Sequence, residues 1–262
     1  MIYNRNLILF MPFIGGGGVE KNLFIIANHL STKFQKIKIC TLSRNKLLNF
    51  NNKIKYLGPS KNFYEKLHIR LKYLICLFIL FNFLIKNKNS TVLSFQANIY
   101  CIILCKLLNV NIIVRSNSSP SGWYHNTIKK ITYKYLISKA DSVIVNSIEF
   151  KKQMESKFKI KVNCIFNPLD LKNIRKQSNL GRPDPFFHKK KCLKLLNLGR
   201  FTDQKDQITI LKACKILKGL VNFRLLIFGR GIEKNKLQRF IYDNNLQKHI
   251  KLKNFIKNPY KV

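Results

Sequence analysis

Short apolar runs alternate with amphipathic ones along most of this chain. Leu7–Phe10 is an apolar stretch of strand type, and Val19–Leu30 repeats its apolar positions at helical spacing. Ile37–Leu42 reads as a strand. A helix over Glu65–Ile85 and a strand at Thr91–Phe95 follow, then helix Ile99–Leu108 and strand Asn111–Val114. Helix Ile128–Ser138, strand Ser142–Asn146, helix Ile148–Phe158 and strand Val162–Phe166 continue the series. Such alternation predicts βαβ units, a parallel sheet and right-handed crossovers. The stretch Gln177–Pro185 has no periodicity, and Pro183 and Pro185 bar a helix there. After Lys191 the pattern restarts with a buried strand, Cys192–Leu198, a helix, Asp206–Leu217, and a strand, Phe223–Phe228. The expected α/β fold has a Rossmann-like domain at 1–176, a linker at 177–191 and a second domain at 192–262 whose sheet is incomplete. Two doubly wound domains would hold a ligand at the carboxyl ends of their strands.

Composition narrows the class. The chain has 262 residues, 46% of them hydrophobic, which is globular rather than disordered. Its 49 Lys+Arg against 11 Asp+Glu give a formal net charge of +38. A basic surface draws phosphates. The lysines, however, are spread along the chain among abundant Asn, Ile and Phe, a joint bias that an A/T-rich genome would produce. We therefore expect no nucleic acid, and an anionic membrane or a phosphorylated ligand instead. The seven cysteines form no C-x-x-C pair and sit mostly in apolar runs, as reduced buried thiols do. The five histidines form no ligand cluster, so no metal is expected. The chain opens on a strand rather than a charged segment and apolar core, so no signal peptide and a cytoplasmic location are expected. Tyr73–Ile85, flanked by Arg70, Lys72, Lys86 and Lys88, is too short for the roughly 20 residues that span a bilayer. It reads either as a buried helix or as one lying in the lipid interface, peripheral on the membrane.

Candidate chemistry gathers at turns between strands and helices. Gly199 ends the strand Cys192–Leu198, and Arg200 and Lys205 follow just before a helix. Backbone N–H groups, the helix dipole and two cations can converge there on a diphosphate. A second turn, Gly229-Arg230-Gly231, follows the next strand, with glycines that would let a ligand approach the backbone. Near the amino end, Gly15-Gly16-Gly17-Gly18 precedes a helix carrying Glu20 in its first turn. That run is either a flexible turn or a loop meeting phosphate or acceptor. Glu20 stands where a dinucleotide fingerprint would need its third glycine. Arg115 opens a polar loop, Arg115-Ser116-Asn117-Ser118-Ser119, at a strand end, as a surface residue or a ligand contact. His125 is a proton carrier or an exposed loop residue. Asn167-Pro168 sets the chain's exit or touches ligand.

Five segments in order resemble glycosyltransferase family 4. They are Gly15–Lys21 (a Gly-Gly-x-Glu loop), Lys139–Ser147 (Ala-Asp-x-Ile-x-x-x-Ser), Ile165–Asp170 (Ile-x-Asn-Pro-x-Asp), Leu198–Phe201 with Lys205, and Ile227–Gly231. The resemblance implies a retaining enzyme of the GT-B fold, moving a hexose-type sugar from a nucleotide diphosphate to an acceptor hydroxyl. It implies Arg200 and Lys205 as catalytic cations, and Gly199, Arg200, Lys205, Gly229 and Gly231 as the donor site. Gly16, Gly17, Gly18, Glu20 and Arg115 fall on the acceptor or phosphate side. No cofactor and no metal are required on this reading. The acceptor would be a saccharide or a lipid-linked one, in the synthesis of a cell-surface polysaccharide or glycolipid.

One departure is marked. The family's Glu-x7-Glu segment would follow Lys253-Asn254-Phe255, and the sequence ends at Val262 before it. The resemblance is thus to an enzyme cut short, and a weak or inactive chain is expected. Two alternatives stay open: a remnant that binds nucleotide or a partner, and another GT-B enzyme such as a nucleotide-sugar epimerase.

Overall fold

The computed structural model describes residues 3–118, 127–181, 184–187, 191–256 and 258–262, in two compact units, Met1–Leu169 and Asp170–Val262.

In the first unit, strands β1 (Tyr3–Phe10), β2 (Phe34–Cys40), β3 (Ile54–Leu57), β4 (Ser90–Ser94), β5 (Asn111–Ser116), β6 (Ser142–Val145) and β7 (Asn163–Cys164) form one sheet. The order is β3-β2-β1-β4-β5-β6-β7, with every pair parallel. The helices are α1 (Gly18–Leu30), α2 (Ile69–Lys86), α3 (Asn98–Leu107), α4 (Thr127–Ser138) and α5 (Ile148–Phe158). Strand residues alternate between two cores. Leu7, Leu9, Ile37 and Ile39 pack with Leu23 and Ala27 of α1. Ile8, Phe10, Val92 and Ile112 pack with α2, α3 and α5 through Cys76, Leu80, Cys101, Ile102 and Met154. A sheet covered on both faces needs apolar residues at consecutive positions, which is why β1 reads as a continuous run.

Strand order reverses between β1 and β4, and the crevice at such a reversal is where doubly wound folds keep ligands. The loop after β1 carries the glycine run. It is pinned to the loop after β4 by Phe13 N donating to Gln96 Oε1 at 3.2 Å.

Strand β3 carries no strong pattern and was not foreseen. Helix α2 starts at Ile69 rather than Glu65. Residues Asn62–Lys66 form a separate 3-10 turn, in which the Glu65 carboxylate accepts from Asn45 N at 2.8 Å. His68 then caps α2, its Nδ1 accepting from Arg70 N.

In the second unit, β8 (Leu193–Leu198), β9 (Phe223–Phe228) and β10 (Ile250–Lys253) pair in the order β10-β9-β8, all parallel. Helices α6 (Leu171–Ser178), α7 (Gln207–Leu217) and α8 (Lys234–Asp243) accompany them. Phe201, Leu211, Leu225, Ile227 and Leu237 form the core on one face, and Leu226 and Phe228 meet Phe186 and Phe187 on the other.

The division falls upstream of the expected linker at 177–191. Asp170 caps α6 through Asn173 N at 3.0 Å, and Asn258 Nδ2 donates to Gln177 O at 2.8 Å, so α6 belongs to the second unit. Pro185–Phe187 forms a 3-10 turn there, and Asp184 pairs with Lys253. Strand β8 departs from the expected burial. Among the described residues it is one of the two outer strands, and Leu193, Leu196 and Leu198 are exposed.

Candidate functional site

The strongest cluster of the second unit lies at the carboxyl ends of β8 and β9. After Leu198 the chain bends through Gly199 and Arg200, and Asp203–Lys205 makes a 3-10 turn. Asp206 adopts the left-handed conformation, with φ 44°, so α7 starts at Gln207, one residue later than expected. The buried Gln207 holds this turn from inside, donating from Nε2 to Arg200 O at 3.0 Å. Arg200 and Lys205 are exposed, and neither side chain has an ion pair or hydrogen bond among the described residues. The α7 amino terminus has no side-chain cap. Two cations and uncapped N–H groups on one turn offer charge and donors to an anion.

Two further polar atoms were missed at the level of sequence. Asn197 Oδ1 and Thr202 Oγ1 are buried without a hydrogen-bond partner among the described residues. A buried unpaired polar atom costs about 1–3 kcal/mol, so it needs a reason. Asn197 interrupts the apolar strand Leu193–Leu198, which is the signal that could have found it.

Gly229 and Gly231 are packed closely against protein backbone. A methyl group at Gly229 would strike the Gly199 carbonyl oxygen and lie 2.6 Å from the Phe201 ring. One at Gly231 would strike the Phe201 backbone. The neighbouring turn thus approaches both glycines. Gly199 N donates to Phe228 O at 3.1 Å, Phe201 N to Arg230 O at 3.0 Å, and Glu233 N to Phe201 O at 3.2 Å. The two turns are laced back to back, with Phe201 fully buried between them. Gly199 is also packed, with a methyl there 3.2 Å from Gln207 Nε2.

The first unit has its own candidate, a cavity of about 480 Å³. Glu20 of α1, Gln96, Asn98 of α3 and Arg115, Ser116 and Asn117 at the end of β5 are among its walls. Glu20 curls back, and its Oε2 accepts from Gly17 N at 2.9 Å. Gly15 and Gly17 make room for that carboxylate, which would lie 3.1 and 2.8 Å from added methyl groups. Gly16 and Gly18 have nothing within 4 Å of such a methyl. Half of the glycine run thus serves Glu20, and half faces open space.

Arg115 is not a surface residue: it is 3% exposed. Its Nη2 donates to Ile165 O at 3.0 Å and Asn167 Oδ1 at 3.1 Å, while its carbonyl accepts from Asn98 Nδ2 at 3.2 Å. Burial lowers the guanidinium pKa from its ordinary value. Its Nε and Asn117 Oδ1 are buried and unpartnered among the described residues. Arg115 therefore both lines the cavity and ties β5 to the end of the unit. Asn167 serves the chain's exit through that tie. His125 and Ser119 lie outside the described residues. Asp141 of the Ala-Asp segment is a latch, its Oδ1 accepting from Lys106 Nζ and its Oδ2 from Ile112 N, both at 2.7 Å. Among the described residues no three His, Cys, Asp or Glu side chains cluster as metal ligands would, and the seven cysteines are free thiols.

This architecture, with parallel sheets in two α/β units, is the fold class of GT-B glycosyltransferases. The family model for glycosyl transferases group 1 matches residues 183–262, the segment that carries Gly199, Arg200 and Lys205. The chain is 34% identical over 156 residues to an uncharacterized glycosyltransferase of Methanocaldococcus jannaschii, covering 56% of this chain and 38% of that protein. It is 25% identical over 288 residues to a Campylobacter jejuni enzyme, N-acetylgalactosamine-N,N'-diacetylbacillosaminyl-diphospho-undecaprenol 4-alpha-N-acetylgalactosaminyltransferase, covering 98% of this chain and 71% of that one. In structure it is similar to Anabaena HepE in complex with UDP, with a TM-score of 0.71 over 98% of this chain and 71% of that one. At 13% identity that last likeness is one of fold. The chain thus spans well under half the length of its archaeal relative.

Proposed function

We propose that this chain transfers a sugar from a nucleotide diphosphate to an acceptor hydroxyl, with retained anomeric configuration. The observation that carries the reading is the β8–α7 turn, where Arg200 and Lys205 stand exposed and unpaired beside the uncapped start of a helix. Breaking a glycosidic bond to a nucleotide leaves negative charge on a diphosphate. Fixed cations and helix N–H groups stabilise that charge as it forms, with no metal needed in this reading. Arg200 and Lys205 would bind the diphosphate, and the turn laced through Gly229 and Gly231 would hold Arg200 in place. The likeness to a UDP-bound structure and to glycosyltransferase sequences supports the donor class.

The cavity of the first unit would take the acceptor, with Glu20, Asn98 and Asn117 offering hydrogen-bonding groups to its hydroxyls. Among the described residues no side chain stands out as a nucleophile, and attack on the face from which the diphosphate leaves would give retention. The acceptor, by analogy with the Campylobacter relative, is a lipid-linked saccharide, and the product a cell-surface polysaccharide or glycolipid made on the cytoplasmic side.

The test is nucleotide release. The protein expressed from its full reading frame, offered UDP- and GDP-sugars with a polyprenyl-diphosphate saccharide, should release UDP or GDP and extend the acceptor. Failure with every donor in the panel, together with no binding of UDP or GDP, would overturn the reading.

A further inference from the structure

Helices α2, α3 and α4 follow one another across one face of the seven-stranded sheet, α2 against α3 and α3 against α4. Their inner residues, among them Leu80, Leu84, Cys105 and Ile137, belong to the same core. Each helix is apolar on its outer side as well. On α2, Leu71, Leu74, Phe78, Phe81 and Ile85 are exposed, at offsets of 3, 7, 10 and 14 from the first, which is one continuous stripe. Phe78 is 65% exposed and Leu74 63%. On α3 the exposed set is Tyr100, Ile103 and Leu107, and on α4 it is Ile128, Ile131 and Tyr135, both at offsets of 3 and 7. Three adjacent helices with outward apolar stripes exceed the scattered exposed leucines of an ordinary surface.

The three helices themselves carry charge of a single sign, with Lys106 of α3 paired to Asp141 just outside them. The sequences of α2, α3 and α4 contain no Asp or Glu. Arg70 and Lys86 are exposed at the two ends of α2, and Lys129, Lys130 and Lys134 are exposed along α4. We infer that the α2–α3–α4 face is a docking surface for an anionic lipid bilayer, with the apolar stripes in the interface and the lysines at the headgroups. A second copy of this chain fits less well, because a two-fold contact through this face would set lysines against lysines. No described helix is long and apolar enough to cross a membrane, so the face lies on the bilayer. At 1.5 Å per residue α2 would lie along roughly 27 Å of it.

The same three helices supply Tyr73, Tyr100 and Tyr133 to the wall of the cavity. Docking would therefore bring the cavity to headgroup level, within reach of a diphosphate-linked saccharide. This extension rests on the transfer reading above, while the docking itself does not.

Vesicle flotation of the full chain, without nucleotide sugar, tests the docking. Binding is expected to vesicles of phosphatidylcholine mixed with phosphatidylglycerol, to fall with added salt, and to be weak on phosphatidylcholine alone. Leu74→Glu with Phe78→Glu should cut binding at least about tenfold, and Lys129→Gln with Lys134→Gln about tenfold with a shallower salt dependence. All four positions are exposed, and circular dichroism would confirm that both variants fold. No binding to the anionic vesicles, or undiminished binding in both variants, overturns the inference. So does a stable dimer in sedimentation that Phe78→Glu dissociates, which would assign the face to a second copy. Transfer to a soluble acceptor analogue, measured on the same variants, separates failure of docking from failure of the transfer reading.

Discussion

Arg115, at the end of β5, reaches Asn167 across 3.1 Å through a single guanidinium nitrogen that also holds the carbonyl of Ile165. A buried cation here fastens the last residues of the first unit to the strand that walls the cavity. Arg115→Ala should lower the unfolding free energy of this unit by about 2–4 kcal/mol, because the Ile165 carbonyl and Asn167 lose a charged donor. Arg115→Lys should recover only part of that, since an ammonium lacks the planar reach. Denaturant titration of the three proteins measures it, and an unchanged midpoint in Arg115→Ala would show the tie to be idle.

Arg200→Ala and Lys205→Ala should behave oppositely. Both side chains are exposed and unpaired among the described residues, so the melting temperature without ligand should barely move. Each change should weaken UDP or GDP binding by about 1–3 kcal/mol, the worth of a charge-assisted hydrogen bond. Calorimetry decides, and unaltered affinity in both variants would assign these cations to solvated surface.

The glycines divide into two testable classes. Gly229→Ala should destabilise the second unit by about 1–3 kcal/mol or more, because the added methyl collides with the backbone of the neighbouring turn. Gly16→Ala and Gly18→Ala meet only open space and should leave stability within about 0.5 kcal/mol. If those two lose transferase activity while folding normally, the open half of the loop contacts substrate. Normal stability of Gly229→Ala would contradict the laced arrangement.

Asp141 links stability to pH. Burial pushes its carboxyl pKa up, but the Lys106 ammonium and the Ile112 N–H outweigh that and hold it below the usual carboxylate range. A group depressed in the folded state contributes stability that is fully present above its unfolded value, about 3.9, and lost as pH falls through the lower folded value. Asp141→Asn should therefore cost stability at neutral pH, and the difference from wild type should shrink as the pH drops below about 4. A gap that stays constant down to pH 2 would place the contribution elsewhere.

Much of the first unit was legible because both sheet faces are covered, so strands such as Leu7–Phe10 and helices such as Ile148–Phe158 carry strong apolar signals. β3 and α6 were invisible for the opposite reason: Ile54–Leu57 has one buried residue, and Leu171–Ser178 has none. The β8–α7 turn was readable from Gly199, Arg200 and Lys205 because a strand, a glycine and two cations in order are local features. The burial of Arg115 and the contact between Gly229 and Gly199 depend on residues far away in sequence. No spacing announces them. Asn197 lay between those cases, a polar residue in an apolar strand whose unmet oxygen only the fold exposes.

The position of β1 between β2 and β4 has a kinetic consequence. Its inner edge pairs with Ser90–Ser94, more than 80 residues downstream, and the Phe13–Gln96 bond that sets the glycine loop spans 83. Closing so long a loop is slow, and parallel pairing gives no hairpin to shorten it. During synthesis the amino-terminal strand must therefore wait, half paired, until β4 has left the ribosome. The crevice is among the later features to form, and a chain interrupted before Ser90 would present an open apolar edge to chaperones or to other nascent chains.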